Sequence, residues 1–336
     1  MSPSRIDERQ KPRVVSLGAP KFVGQEYLDH FSRDYDFSIL DAYDRKQTKQ
    51  LLPKDINQHG PIDAFIIRMG TPPYEPFDKD LLGHLAPECK IITSASAGFN
   101  EFDVDWMAKD GIYFCNTVDA VAEATADMAF FLTLAVLRNT SMAEKSAKAG
   151  TWRQAPGLVP SRDPSGMTLG IVGMGAIGKL PKDLEAKYSA SYCGSLHELL
   201  AASDVVSINC PLNAATTGLI GDDEFAAMKD GAFFVNTARG AIVDECALKK
   251  ALESGKIARA GLDVLCDEPN VDSWFLQSEQ VIVQPHLGGL TDAAFQRAER
   301  ECFENVRAYF EKGTPNSPVN VPKNSGKGRY FVQDVN

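Results

Sequence analysis

Short apolar runs rich in β-branched residues alternate with stretches of helical spacing over the first third of the chain. That is the pattern of a parallel sheet whose strands are joined by crossover helices. The expected strands are Arg13–Leu17, Phe37–Leu40, Ala64–Met69, Lys90–Ser94 and Ile112–Asn116. The texture then changes to an Ala-rich stretch from Asp119, an N-cap candidate, to Gly150, a stop candidate. It is long enough for one extended helix that could join two domains. Beyond it a second alternating set predicts strands at Thr168–Val172, Ser191–Cys193, Val205–Asn209, Ala232–Asn236, Ala260–Leu265 and Val281–Gln284. Each is a continuous apolar run, as a strand covered on both faces should be. Helices are expected at Ser195–Ala202, Asp222–Met228 and Asp244–Ser254. A last helix, Asp292–Lys312, follows the final strand and could return the chain to the first domain, and the tail from Pro322 reads as disordered.

Length and composition narrow the class. A chain of 336 residues exceeds the usual single core, so two domains are expected. With 44% hydrophobic and 24% charged residues the composition is globular, and a formal charge of -10 without a basic stripe argues against nucleic acid as a partner. The longest apolar run, Met128–Leu137, is shorter than the ~20 residues that span a bilayer and reads as a buried helix, so no membrane association is expected. Residues 1–10 carry no apolar leader and the last residues match no retention signal, which makes a cytoplasmic location the expectation. Cys89, Cys115, Cys193, Cys210, Cys246, Cys266 and Cys302 are scattered, with no C-x-x-C pair and no His at ligand spacing. Free thiols and no metal site are expected.

The chemistry is concentrated in the second half. Residues 168–178 form an apolar strand that runs into Gly173-Met-Gly175-Ala176-Ile177-Gly178. This G-x-G-x-x-G spacing lets backbone N–H groups approach a dinucleotide pyrophosphate. Taken alone it is weak, because tight turns from strand to helix need glycines anyway. Three further segments strengthen it: Asn236-Thr237-Ala238-Arg239-Gly240, Gly261-Leu-Asp263 with Glu268-Pro269 beyond it, and Gln284-Pro285-His286-Leu-Gly288-Gly289. Each lies at or just after the C-terminal end of an expected strand, where open parallel sheets bind ligands.

Through these segments the chain resembles the D-isomer-specific 2-hydroxyacid dehydrogenases, of the glyoxylate and hydroxypyruvate reductase type. The resemblance implies an α/β fold of two Rossmann-like or flavodoxin-like parallel-sheet domains joined by long helices. Residues 1–118 with 292–336 would form the substrate-binding domain and 119–291 the NAD(P)-binding domain. It further implies reduction of a small 2-oxo acid such as glyoxylate or hydroxypyruvate to the D-2-hydroxy acid, with NAD or NADP as cofactor, by a homodimer. Arg239, Glu268 and His286 map onto the family's catalytic set. An arginine fork suits the carboxylate and carbonyl of a 2-oxo acid. His286 would exchange a proton with the carbonyl oxygen, and Glu268 against the imidazole would favour its charged form. Singly, each has a plain structural reading, as a strand cap, a turn residue or a core histidine. Ala97 and Gly98, in the small-residue segment Ser94–Asp103, resemble the substrate loop that offers backbone N–H groups to the carboxylate. Asp263 resembles the acceptor of the nicotinamide carboxamide, and Pro211, Thr237, Ala238, Gly288 and Gly289 resemble further cofactor contacts. Trp152 lies in a segment that in related reductases reaches the subunit interface, although a buried packing role suits it equally.

One feature conflicts with the motif. A pyrophosphate loop opens a full helix and a second strand, with an acidic residue about 20 positions on for the adenosine ribose. Here Pro181 follows Gly178 by three residues, so the chain skips about one helix and one strand at Lys179/Leu180. The cofactor domain's sheet should then be one strand short. Residues Pro181–Tyr188 could serve as the crossover helix and Ser191–Cys193 as a substitute strand beside the first. The residues after it, Gly194, Ser195 and Leu196, include neither an acid for ribose hydroxyls nor an arginine for a 2′-phosphate. Two readings remain open on sequence: an active reductase with a weakened cofactor site, or a non-catalytic or shortened relative that keeps the fold.

Overall fold

The computed structural model describes residues 11–322 apart from 155, 156, 176, 179–186 and 188. Ala176, the Lys179/Leu180 junction, the crossover helix expected over Pro181–Tyr188 (Lys187 apart), residues 1–10 and the tail beyond Pro322 therefore lie outside the described residues. Two compact units divide the chain, Met1–Val121 with Thr291–Asn336, and Ala122–Leu290.

In the first unit the chain runs β1 (Arg13–Leu17), α1 (Gln25–Phe31), β2 (Asp36–Leu40), α2 (Arg45–His59), β3 (Ala64–Ile67), α3 (Lys79–Leu82), β4 (Ile91–Ser94), α4 (Val104–Lys109) and β5 (Tyr113–Cys115). The five strands pair in parallel in the order β2-β1-β3-β4-β5, with Val15 opposite Phe65, Phe65 opposite Ile92 and Ile92 opposite Phe114. Adjacent residues of one strand point to opposite faces. Val15, Phe65, Ile92 and Phe114 pack with Leu52 of α2, Leu81 of α3 and Met107 of α4. Val14, Ala64, Ile91 and Tyr113 pack with Phe31 of α1 and with Phe303 and Val306 of the closing helix Asp292–Lys312. Burial on both faces is why these strands read as unbroken apolar runs. The direction of strand addition reverses after β2, and right-handed crossovers then place helices on both sides.

The helix expected over residues 119–150 is two. α5 (Val118–Arg138) crosses the boundary between the units, with Asp119 in its first turn rather than capping it, and α6 (Thr140–Lys148) follows. Asn139 separates them in the left-handed region at φ 51°, a conformation that asparagine tolerates better than most residues. The sequence offered no Gly or Pro there to mark the break. By length and composition Asp119–Arg138 could cross a membrane, which the shorter run Met128–Leu137 did not suggest. In the fold 56% of that stretch is buried, as in a core helix.

The second unit continues with β6 (Leu169–Val172), α7 (Leu196–Ala202), β7 (Val205–Ile208), α8 (Asp222–Ala227), β8 (Ala232–Asn236), α9 (Glu245–Glu253), β9 (Ile257–Leu262), α10 (Ser273–Gln277) and β10 (Val281–Val283). Its strands are also parallel, in the strictly sequential order β10-β9-β8-β7-β6. Without a reversal, right-handed crossovers put their helices on one face. Leu200, Phe225, Leu248 and Phe275 from α7 to α10 cover Val206, Phe234 and Ala260 there. Leu132 and Val136 of α5 cover Val205, Phe233 and Val235 on the other.

Ser191–Cys193 is not a strand, contrary to expectation, and among the described residues β6 pairs with β7 alone. The run is short and has no apolar face to bury, with Ser191 exposed and Tyr192 85% exposed. The residues after it are committed to a helix start. Ser195 accepts from Glu198 N at 3.2 Å while Glu198 Oε2 accepts from Gly194 N at 2.9 Å. Strand β9 begins earlier than expected, at Ile257, because the intervening Arg259 is satisfied within the fold by the Val136 carbonyl at 3.1 Å.

Candidate active site

Arg239, Glu268, Asp263 and His286 stand beyond the C-terminal ends of β8, β9 and β10, and local chemistry places each one. Beyond β8 the Asn236 side chain folds the loop, accepting from Ala238 N at 3.0 Å and donating to the Arg239 carbonyl at 3.0 Å. This turn presents Arg239, half-buried, with one guanidinium nitrogen donating to the Ala238 carbonyl at 2.7 Å. The next residue must be glycine. A Cβ on Gly240 would lie 2.0 Å from the carbonyl carbon of Leu265, so the Arg239 loop sits directly on the loop that follows β9.

That second loop carries Glu268. Its Oε1 accepts from Leu265 N at 2.9 Å and its Oε2 meets His286 Nδ1 at 2.8 Å. Burial pushes the Glu268 carboxyl up, but the hydrogen bonds from His286 and Leu265 N, with the charges of His286 and Arg239, outweigh it and hold the group below the usual glutamate range. Glu268 is thus bonded to the histidine and within the field of the arginine. The carboxylate occupies Nδ1, which leaves Nε2 as the ring nitrogen free for proton exchange.

His286 itself is held in the left-handed region at φ 56°. Asp263, 1% exposed, enforces that path: its carbonyl accepts from His286 N at 2.8 Å, and its carboxylate oxygens accept from Leu287 N and Gly288 N, each at 2.7 Å. Burial raises the Asp263 carboxyl despite those two donors. A side chain at Gly288 would press on the same carboxylate, at 2.8 Å from Oδ2, and Gly289 follows in the turn. Sequence reasoning gave Asp263 a ligand and missed this buttressing of the histidine loop, for which no local motif exists.

The glycine loop fits a dinucleotide cradle where it is described. Gly173 has φ 102°, and a Cβ there would meet Cys210 N at 2.5 Å, so β6 and β7 close on each other at this turn. A Cβ on Gly178 would stand 2.2 Å from the Gly173 carbonyl oxygen, while Gly175 faces open space with Ile177 half-buried behind it. Thr237 is buried beside Asn209, with Oγ1 at 3.5 Å from Asn209 Oδ1, and Pro211 is exposed at the end of β7. No acidic side chain follows β6 in the position that would hold a ribose among the described residues, since Glu198 is spent on the α7 cap.

In the first unit Ala97 and Gly98 lie on the loop after β4, both partly exposed. Trp152 is 69% exposed with φ 53°, which removes the packing role. The seven cysteines are free, and no cluster of three or more metal-ligating side chains occurs among the described residues.

Residues 130–187 and 180–288 match the family described as D-isomer specific 2-hydroxyacid dehydrogenase, NAD binding domain. A dehydrogenase of Hormonema carpetanum, efuE, is 53% identical over 340 residues, covering 95% of this chain and 84% of its own. Among solved structures, a glyoxylate reductase from Paecilomyes thermophila superposes with a TM-score of 0.83 at 34% identity, over 92% of this chain and 98% of that one. The holo form of D-mandelate dehydrogenase from Rhodotorula graminis gives 0.84 at 30% identity, over 92% and 98%. The Hormonema alignment runs over 340 positions yet uses 95% of a 336-residue chain, so part of that relative faces a gap here. The family match falls into two segments that overlap at residues 180–187.

Proposed function

The chain belongs to the D-isomer specific 2-hydroxyacid dehydrogenases, and from that membership we propose that it reduces glyoxylate, hydroxypyruvate or a similarly small 2-oxo acid to the D-2-hydroxy acid. Oxidoreduction of 2-hydroxy and 2-oxo acids with NAD or NADP is the family's chemistry. A nicotinamide dinucleotide held by the glycine loop would supply the hydride in reduction and take it up in oxidation. His286 Nε2 gives a proton to the carbonyl oxygen in reduction and recovers it in oxidation. Glu268 on Nδ1 fixes the ring and its tautomer, leaving Nε2 towards the substrate. Arg239 offers its fork to the carboxylate and polarises the carbonyl. Ala97 and Gly98 serve the carboxylate through their N–H groups. Gly173, Gly175, Ile177 and Gly178 would hold the pyrophosphate, with Pro211, Thr237, Ala238, Asp263, Gly288 and Gly289 lining the remainder of the cofactor's path. Seven free thiols support a reducing, cytoplasmic setting.

The observation that carries this reading is the 2.8 Å contact between Glu268 and His286 with Arg239 acting on the same carboxylate. Replacing His286 by Gln keeps the ring's volume roughly and removes the proton donor. Turnover should fall by about 10²- to 10⁴-fold while NADH or NADPH binding stays as in the wild type. A fully active variant would overturn the assignment. A second reading, that the chain keeps the fold without useful turnover, is favoured by one observation: β6 ends the sheet, so the lobe that would hold the adenosine ribose is incomplete among the described residues.

A further inference from the structure

A trans peptide points its C=O and the following N–H in opposite directions, so fixing one carbonyl aims the next amide. The loop after β4 is governed by three such fixations in a row. The Ser96 carbonyl accepts from Thr117 N at 3.1 Å and from Thr117 Oγ1 at 3.4 Å. The Ala97 carbonyl accepts from Asn116 Nδ2 at 2.6 Å. The Gly98 carbonyl accepts from Ser96 Oγ at 2.9 Å, and that hydroxyl is braced by Ser94 Oγ at 2.8 Å. The following amides, those of Ala97, Gly98 and Phe99, have no acceptor among the described residues. Because each of the three carbonyls is held by a partner, each following N–H points away from that partner. Asn116 is 6% exposed, so its hydrogen bond is shielded from competing water.

We propose that Asn116 and Ser96 are positioning residues for the substrate carboxylate. Asn116 aims the Gly98 N–H and Ser96 aims the Phe99 N–H, which adds Phe99 to the donors that would receive the acid. The inference rests on the reading of Ala97 and Gly98 as the carboxylate's donors. Neither side chain touches the substrate; each acts through a carbonyl of the loop. A carboxylate is the ligand class such a row recognises, since an anion gains from several N–H donors where a neutral carbonyl compound gains from one.

The test is calorimetric titration with oxalate, with and without saturating NADH, on the full-length wild type and on Asn116→Ala, Ser96→Ala and Ser96→Thr. Oxalate affinity should drop by roughly 10-fold or more for Asn116→Ala and for Ser96→Ala, and return towards wild type in Ser96→Thr, which restores the hydroxyl. In turnover assays the KM for the 2-oxo acid should rise with kcat little changed and the KM for NADH unmoved, a split that general loosening of the fold does not produce. Wild-type affinity in both alanine variants overturns the positioning role alone. A wild type that takes up no oxalate overturns the carboxylate site itself, and the positioning role with it. Should Asn116→Ala fail to fold, the Ser96 pair decides.

Discussion

At the scale of single residues, the site depends on a few side chains whose work is to hold others. Glu268 shows this in its titration. Its carboxyl lies lower in the fold than the 4.5 of a free glutamate, so the unfolded chain takes up that proton first on acidification. The stabilisation is complete above about 4.5 and is lost as pH falls through the lower, folded value. Thermal unfolding of wild type and Glu268→Gln should therefore differ most at neutral pH and converge as pH drops below 4.5. A difference that stays constant with pH would refute the ion pair's role. Asp263 was legible as an acid beyond a strand, yet its engagement with Leu287 N and Gly288 N was not. Hydrogen-bond partners 24 and 25 residues apart leave no periodic trace in the chain.

At the scale of elements, the order of strands decides what the second unit can grip. Open parallel sheets bind nucleotides where the direction of strand addition reverses. The first unit has such a reversal between β1 and β3, and the second, as described, has none. Among the described residues β6 has a partner on one side only, and Leu169 on it is 47% exposed. Inserting a helix-strand segment that ends in an acidic residue between Lys179 and Leu180 should supply a neighbouring strand and a ribose acceptor. A regained charge-assisted hydrogen bond is worth roughly 10- to 150-fold in affinity, read as NADH or NADPH binding by calorimetry. Equal affinity with and without the insert would show that the glycine turn and the loops after β7 to β10 suffice by themselves.

At the scale of the whole molecule, the surface carries apolar side chains that one chain leaves uncovered. On α5, Phe130 is 63%, Phe131 51% and Leu134 37% exposed, and Trp152 stands 69% exposed beyond α6. These support the homodimer expected from the family. Light scattering on the purified protein should give twice the 36.6 kDa chain mass, and replacing Phe130 and Phe131 together by Glu should return it to one. A wild-type monomer at micromolar concentration would end that proposal. The sequence by itself determined the two parallel α/β sheets, most strand positions to within a residue or two, and the loops beyond β8 to β10 that carry Arg239, Glu268 and His286. Burial on two faces writes itself into a chain as continuous apolar runs, and reactive groups must be of particular types. Only the tertiary structure decided that β6 pairs with β7 alone among the described residues, that Asn139 splits the long helix, that Gly240 must lie on Leu265, and that Asn116 holds the Ala97 carbonyl. Those depend on which distant backbone atoms come within about 3 Å of each other, and such contacts are properties of the folded path rather than of local composition.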